Sequence, residues 1–164
     1  MYLINYYFSH DINLYFLKPK LEKMKWYLKV LRQYADFSGR ARRTEYWMFT
    51  LFNVIFTCVA MGIDNVLGIT FHFAGADGTS VPFFYGYVYV LYALAMLVPS
   101  LAVSVRRLHD VGKSGWMLLI ALIPIIGGIW LLVLMCTDSQ QGTNKWGENP
   151  KEEPLTNFPE YRGA

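Results

Sequence analysis

WMLLIALIPIIGGIWLLVLMC, Trp116 to Cys136, runs for 21 residues without Asp, Glu, Lys or Arg. Its length suits a membrane crossing, since at 1.5 Å per residue roughly 20 residues cover a hydrocarbon core of about 30 Å. Its middle suits one less well. Pro124 removes a backbone donor and crowds the preceding turn, and the Gly127–Gly128 pair lowers helix propensity. The run is therefore either a kinked spanning helix, the commoner outcome and the one expected, or a re-entrant hairpin turning between Pro124 and Gly128. A hairpin would need its irregular backbone shielded from lipid. It would also return the residues after Cys136 to the side from which Trp116 departs.

Two more runs lack charge, Tyr46 to Ile63 and Phe83 to Val105. The chain is 54% hydrophobic and only 16% charged, with positive mean hydropathy. A soluble domain of 164 residues would have too little amphipathic material to cover three helices that are apolar all round. The expected fold is an all-α integral membrane protein with three apolar membrane helices, about 46–63, 83–105 and 116–136, within a membrane domain of residues 24–138. The first run has 18 residues and calls on Gly62 to Asp64 or on local thinning to complete a crossing. Cys58 and Cys136 lie inside runs with no His or second Cys at ligand spacing, so neither a disulfide framework, a metal nor another cofactor is expected. Met1 to Tyr15 has no basic segment of the kind that opens a secretory signal.

Ahead of the first run, LEKMKWYLKVLRQYA (Leu21–Ala35) sets Leu21, Met24, Leu28 and Leu31 on one face and Lys25, Lys29 and Arg32 on another. With Trp26 and Tyr27 it reads as a basic amphipathic helix on a membrane surface. Of the 15 Lys and Arg, nine precede the first run, three lie between the second and third, three follow the third, and none lies between Asp64 and Pro82. Basic residues collect on cytoplasmic flanks, which puts the N-terminus and the 106–116 connection inside. The Gly-rich FHFAGADGTSVP, with a turn signal at Asp77–Gly78, is the external connection. Residues 139–164 read as a polar, flexible tail, and three full crossings would leave it outside.

The polar borders carry three motifs: FSGRARRTEYW (Phe37–Trp47), RRLHDVGKSGW (Arg106–Trp116) and GTNKWGENP (Gly142–Pro150). In the second, Arg106 and Arg107 end a span where guanidinium groups can meet lipid phosphate. Asp110 stands at i+4 and i+3 from them and can pair with either. Gly112 allows the turn, Ser114 caps the next helix, and Trp116 anchors it at the interface. A Ser-His-Asp reading fails on spacing: adjacent His109 and Asp110 diverge by about 100° on a helix, and no strand-to-helix elbow surrounds Ser114. Glu45, beside the start of a span, needs a partner, and a neighbour of Arg43 or, across the bundle, Arg106 or Arg107 is expected to supply it. Ser100 and Ser104, four residues apart, suggest close helix packing rather than a pore, and Tyr85, Tyr87, Tyr89 and Tyr92 an aromatic belt.

In order and in residue, these motifs resemble those of domain-of-unknown-function family 805, the YhaH/YhaI-like bacterial inner-membrane proteins, over residues 24–151. The family pattern falls on Gly39, Arg40, Arg43, Glu45, Tyr46 and Trp47, then on Arg106 to Asp110, Gly112, Ser114, Gly115 and Trp116. In the tail it falls on Gly142, Asn144, Trp146, Gly147, Asn149 and Pro150, with Trp146 where members more often have Tyr or Phe. Residues 1–23 depart from it: members of the family tend to begin near MKWYLKVL, so this segment is either a private extension or lies ahead of a true start at Met24. It implies a bacterial inner-membrane location and no known activity.

The functional expectation is an interaction or membrane-organising protein, not an enzyme and not a nucleic-acid binder. Arg40, Arg43, Glu45, Arg106, Arg107, His109 and Asp110 would form a cytoplasmic cluster for anionic phospholipid, a membrane-protein partner or a second copy of the chain. Gly39, Trp47, Gly112, Ser114, Gly115, Trp116, Pro124, Gly142, Asn144, Gly147 and Pro150 would be structural. The alternative expectation is a subunit of an oligomeric small-solute transporter or channel.

Overall fold

The computed structural model describes residues 24–74 and 80–152. The 1–23 extension, the Asp77–Gly78 turn and the tail beyond Glu152 lie outside them. Among the described residues, four α-helices, a 3-10 helix and a two-stranded hairpin follow one another: α1 (24–32), α2 (Arg43–Leu67), β1 (Thr70–Ala74), β2 (Ser80–Gly86), α3 (Tyr87–Asp110), the 3-10 helix (Gly115–Leu122) and α4 (Ile126–Cys136). The chain divides into two compact units, one of residues up to 36 with 47–102, the other of 37–46 with 103 onward.

In the first unit, α2 and α3 are long and apolar enough to cross a membrane, and only 11% and 17% of their most apolar windows are buried. The core helix of a soluble protein would be mostly covered, so these exteriors are suited to lipid. Tyr27 of α1 seats α1 on α2, its ring 5.5 Å from those of Phe49, Phe52 and Phe56. Tyr27 and Val30 are the buried residues of α1, whereas Met24 and Leu28 of the expected apolar face stay exposed. The aromatic ring fills the gap between bulky α2 side chains, which periodicity of aliphatic residues alone did not reveal. Inside α3, Pro99 has no N–H to give the carbonyl of Ala95, and the Tyr34 hydroxyl donates to that carbonyl instead. Ser100 satisfies its hydroxyl within α3, donating to Met96 O at 2.6 Å.

The fold is mostly helical rather than all-α. Residues expected to form an external loop, together with the first four of the expected second span, make an antiparallel hairpin with His72 opposite Pro82 and Phe73 opposite Val81. The aromatic and β-branched residues of TFHFA and SVPFFYG favour a pleated strand over a coil. Asp64 is likewise no loop residue: α2 runs on to Leu67, and the Asp64 carboxylate is fully buried. It accepts from the N–H groups of Gly86, Val88 and Tyr89 at 3.1, 3.0 and 2.9 Å, satisfying the orphan donors and positive end of α3. A Cβ at Gly86 would stand 2.5 Å from both Asp64 Cγ and Ile69 O, so this approach requires glycine.

The second unit decides the reading of Trp116–Cys136. The run is not one helix but two short arms. The 3-10 arm ends at Leu122, and the chain turns at Pro124–Ile125, where Ile125 has φ +66° and ψ −62°. Ile126 N–H closes this turn on Pro124 O at 2.7 Å, the strained hand of the γ-turn and costly for a β-branched residue. A Cβ on Gly127 would overlap the Ile120 carbonyl, so α4 begins flush against the backbone of the 3-10 arm. Both ends of the run return to Leu108: Met117 and Leu118 from one arm and Leu134 and Met135 from the other pack around it. A straight span would hold those ends about 25–30 Å apart.

Candidate functional site: a polar face closed by three motifs

Because the hairpin returns, the second unit brings all three motifs together. α3 ends with Arg106, Arg107, His109 and Asp110, all under 9% exposed, and Glu45 in the first turn of α2 is fully buried. Burying so many charges is costly unless each is paired and its hydrogens are used.

Arg40 uses its whole fork. Nε donates to Asp110 Oδ1 at 3.1 Å; Nη1 donates to Gly142 O at 2.8 Å and Gly147 O at 3.3 Å; Nη2 donates to Asp110 O at 3.4 Å and to Gln140 O. One guanidinium thereby ties the first motif to the second and to the third, through a planar multi-donor geometry that lysine lacks. Asp110 accepts from Arg107 Nη1 through Oδ2, which also takes the Ser139 hydroxyl at 2.6 Å. Arg107 donates in addition to Met135 O at 3.2 Å and to Thr137 O, and Arg43 donates to Cys136 O at 3.2 Å. These carbonyls form the negative C-terminal end of α4, so two arginines cap the hairpin's returning arm.

The expected partnership of Glu45 is present: Arg106 Nη1 lies 3.3 Å from Glu45 Oε1, with both side chains at most 2% exposed. Arg106 O also accepts from Ala41 N at 3.0 Å, fastening the first motif along α3. His109 donates from Nδ1 to Gly39 O at 3.2 Å, since a carbonyl can only accept, and its ring stacks on Trp146 at 4.4 Å and 12°. Asn144 Nδ2 donates to His109 O at 2.9 Å. Gly112 has φ +75° and faces Gln140 Oε1, Ser114 Oγ accepts from Trp116 N at 3.4 Å, and Trp116 is 79% exposed. Gly115 lies against Val105, and Trp47, on the second turn of α2, is exposed. Asn149 Nδ2 donates to Glu152 Oε1 at 2.8 Å beside Pro150. Residues 140–147 are thus tied to the arginine and histidine of the other motifs, within the segment expected to be a flexible tail from residue 139.

This geometry revises the expected lipid cluster. Arg40, Arg106 and Arg107 are at most 8% exposed, so their guanidinium groups are not presented at the surface to a phosphate headgroup. Among the four expected lipid-binding arginines, Arg43 is the one with an exposed side chain, 43% accessible and 3.3 Å from Asp138. Sequence reasoning missed Asp138, Ser139 and Gln140 as members of the site. Their only signal was position, directly after Cys136, and it has meaning only once the run is known to turn back. Among the described residues, no three His, Cys, Asp or Glu side chains converge as they would around a metal ion.

The family model described as protein of unknown function (DUF805) matches residues 34–148. The chain is 44% identical over 128 residues to the inner membrane protein YhaI of Escherichia coli K12, covering 78% of this chain and 97% of that one. It is 44% identical over 131 residues to the inner membrane protein YhaH of the same strain, covering 80% and 100%. A more distant relative, the uncharacterized protein YiiR of that strain, is 26% identical over 71% of this chain and 87% of its own. No solved structure matches. The matched span runs through the first two motifs and most of the third, and on these grounds the chain belongs to the DUF805 family.

Proposed function

We propose that this protein is a membrane-organising protein of the bacterial inner membrane that crosses the bilayer twice, through α2 and α3, and dips into it a third time through the 3-10/α4 hairpin. Its N-terminus, the 106–116 connection and the tail share the cytoplasmic face. Support for the side comes from the basic residues: with the tail on the face of the first two motifs, that face collects all 15 Lys and Arg, and the α2–α3 connection has none. The observation that carries the reading is the Arg40 fork, which binds residues from all three motifs into one polar platform.

On this platform the lipid-facing cations are three of those left at the surface, Arg43, Lys113 and Lys145, rather than the buried arginines. Their partner is anionic phospholipid, each contributing on the order of 1 kcal/mol near a negatively charged leaflet. Replacing all three by Gln in the full-length protein is expected to abolish its enrichment of phosphatidylglycerol over phosphatidylethanolamine in co-purified lipid. Unchanged enrichment would refute the assignment.

A second reading rests on a groove of about 230 Å³ between α2 and α3, lined by Asn53, Thr57, Tyr89, Tyr92, Met96 and Ser100 among others. Polar side chains at that depth suit a small-solute path completed by another copy of the chain. Solute flux in reconstituted vesicles that Asn53→Leu removes would favour it over the organising role.

A further inference from the structure

The two arms of the hairpin match in reach. Eight residues of 3-10 helix at about 2.0 Å each give about 16 Å, and eleven of α-helix at 1.5 Å give about 16.5 Å. Each is about half of a 30 Å hydrocarbon core. The exterior is apolar on every side: Trp116, Leu122, Ile125, Ile126, Ile129 and Trp130 are all at least 54% exposed. Four N–H groups around the turn are used within the hairpin. Ile123 N donates to Ile120 O, Ile126 N to Pro124 O, Gly127 N to Ile123 O and Ile129 N to Ile125 O. Irregular backbone carries its penalty in hydrocarbon through unmade hydrogen bonds, and these four bonds reduce that penalty at the tip. Lys113 and Ser114 precede the hairpin and Asp138 and Ser139 follow it, so both its ends emerge at the same polar face.

We propose that the hairpin occupies the cytoplasmic leaflet alone and makes the protein a wedge whose preferred partner is a bilayer curved toward the cytoplasm. The inference rests on the two-crossing topology above and adds its mechanical consequence. α2 and α3 displace equal area in both leaflets. The two arms add a cross-section of roughly 160–220 Å² to one leaflet only, from helix diameters of about 10–12 Å. Four helical cross-sections therefore stand in one leaflet against two in the other. Packing stress is relieved where the crowded leaflet is the outer side of a bend.

The test uses the full chain reconstituted into a mixed population of phosphatidylethanolamine/phosphatidylglycerol vesicles about 30 nm and about 400 nm across. Orientation is scored by protease access to the tail. Molecules with the tail outside are expected to be enriched about twofold or more per lipid in the small vesicles, and those with the tail inside to be depleted. Equal density in both orientations overturns the wedge. A companion measurement places a spin label at Ile125→Cys, with Cys58 and Cys136 replaced by Ser, and reads its access to oxygen and to an aqueous relaxant. A tip at mid-bilayer depth that is open to oxygen is expected. A mid-depth tip without size sorting refutes the wedge and leaves the topology standing. A tip in water on the face opposite the tail refutes the topology itself, and a tip shielded from both agents shows a second copy covering the hairpin and overturns the proposal. Leu122→Asp with Ile126→Asp is expected to erase the sorting; should that variant not fold, the orientation-resolved result for the unaltered chain still decides.

Discussion

Asp110→Asn keeps the shape of the side chain and removes the one negative charge that Arg40 and Arg107 share. Both guanidinium groups would then be buried without their counter-charge, a loss expected to cost about 3–5 kcal/mol. It should appear as a markedly lower unfolding temperature in detergent; an unchanged temperature would mean the pairs add nothing to stability. Exposed Asp138 behaves differently. The Lys151 ammonium hydrogen-bonded to it, then the Ser139 N–H, and more weakly Arg43, hold its carboxyl below the usual range. A depressed folded-state pKa contributes stability above the ordinary carboxylate pKa, and that contribution is lost as pH falls through the lower, folded value. Solvent screening keeps the effect small. Acidification through this window should lower the amide protection factors of Gly142–Gly147, measured relative to the intrinsic exchange rate at each pH, and Asp138→Asn should flatten that dependence.

At the level of elements, the hairpin and the Pro99 site each depend on one small feature. Gly127→Ala puts a methyl group into the Ile120 carbonyl and should open the hairpin. The cost is expected at about 1–3 kcal/mol, with Trp130 fluorescence reporting the displaced arm. In α3, Tyr34→Phe strips the Ala95 carbonyl of the donor that replaces Pro99's missing N–H. A loss of about 1–2 kcal/mol is expected for an acceptor left unsatisfied. It should shrink in a Pro99→Ala background, where the backbone regains an N–H that can reach the Ala95 carbonyl. A double-mutant cycle measures this, and additive effects would show that the hydroxyl does not serve that carbonyl. The hairpin strands and Asp64 were the least legible elements. Asp64 reads as a loop residue because its partners, the first N–H groups of α3, lie more than 20 residues away in sequence.

For the whole molecule, paired reporters active in the cytoplasm or the periplasm, fused ahead of Met1 and after Ala164, are expected to place both ends inside. Opposite sides would restore three full crossings and separate Arg40 from Gly142 by a bilayer, which their 2.8 Å hydrogen bond in the structure does not allow. The motifs themselves were legible from the sequence, and so were the Glu45–Arg106 pair and the Ser114 cap, because each follows from residues at helical spacing or from a charge beside an apolar run. The roles of the arginines were not. Arg40 and Arg107 look like surface charges in sequence, and the carbonyls of Met135, Thr137, Gln140, Gly142 and Gly147 that hold them reach them only because the hairpin brings the chain back; Arg106 is buried against Glu45 instead.

The sequence by itself determined which segments are apolar, where polar borders interrupt them and which family the motifs resemble, because hydropathy and capping are sums over neighbouring residues. The tertiary structure alone decided the path of Trp116–Cys136. Pro124 and the Gly127–Gly128 pair permit a kink or a reversal, and the reversal, with its strain at Ile125, is selected by distant contacts: Gly127 against the Ile120 backbone, both arms around Leu108, and Arg43 and Arg107 on the last carbonyls of α4.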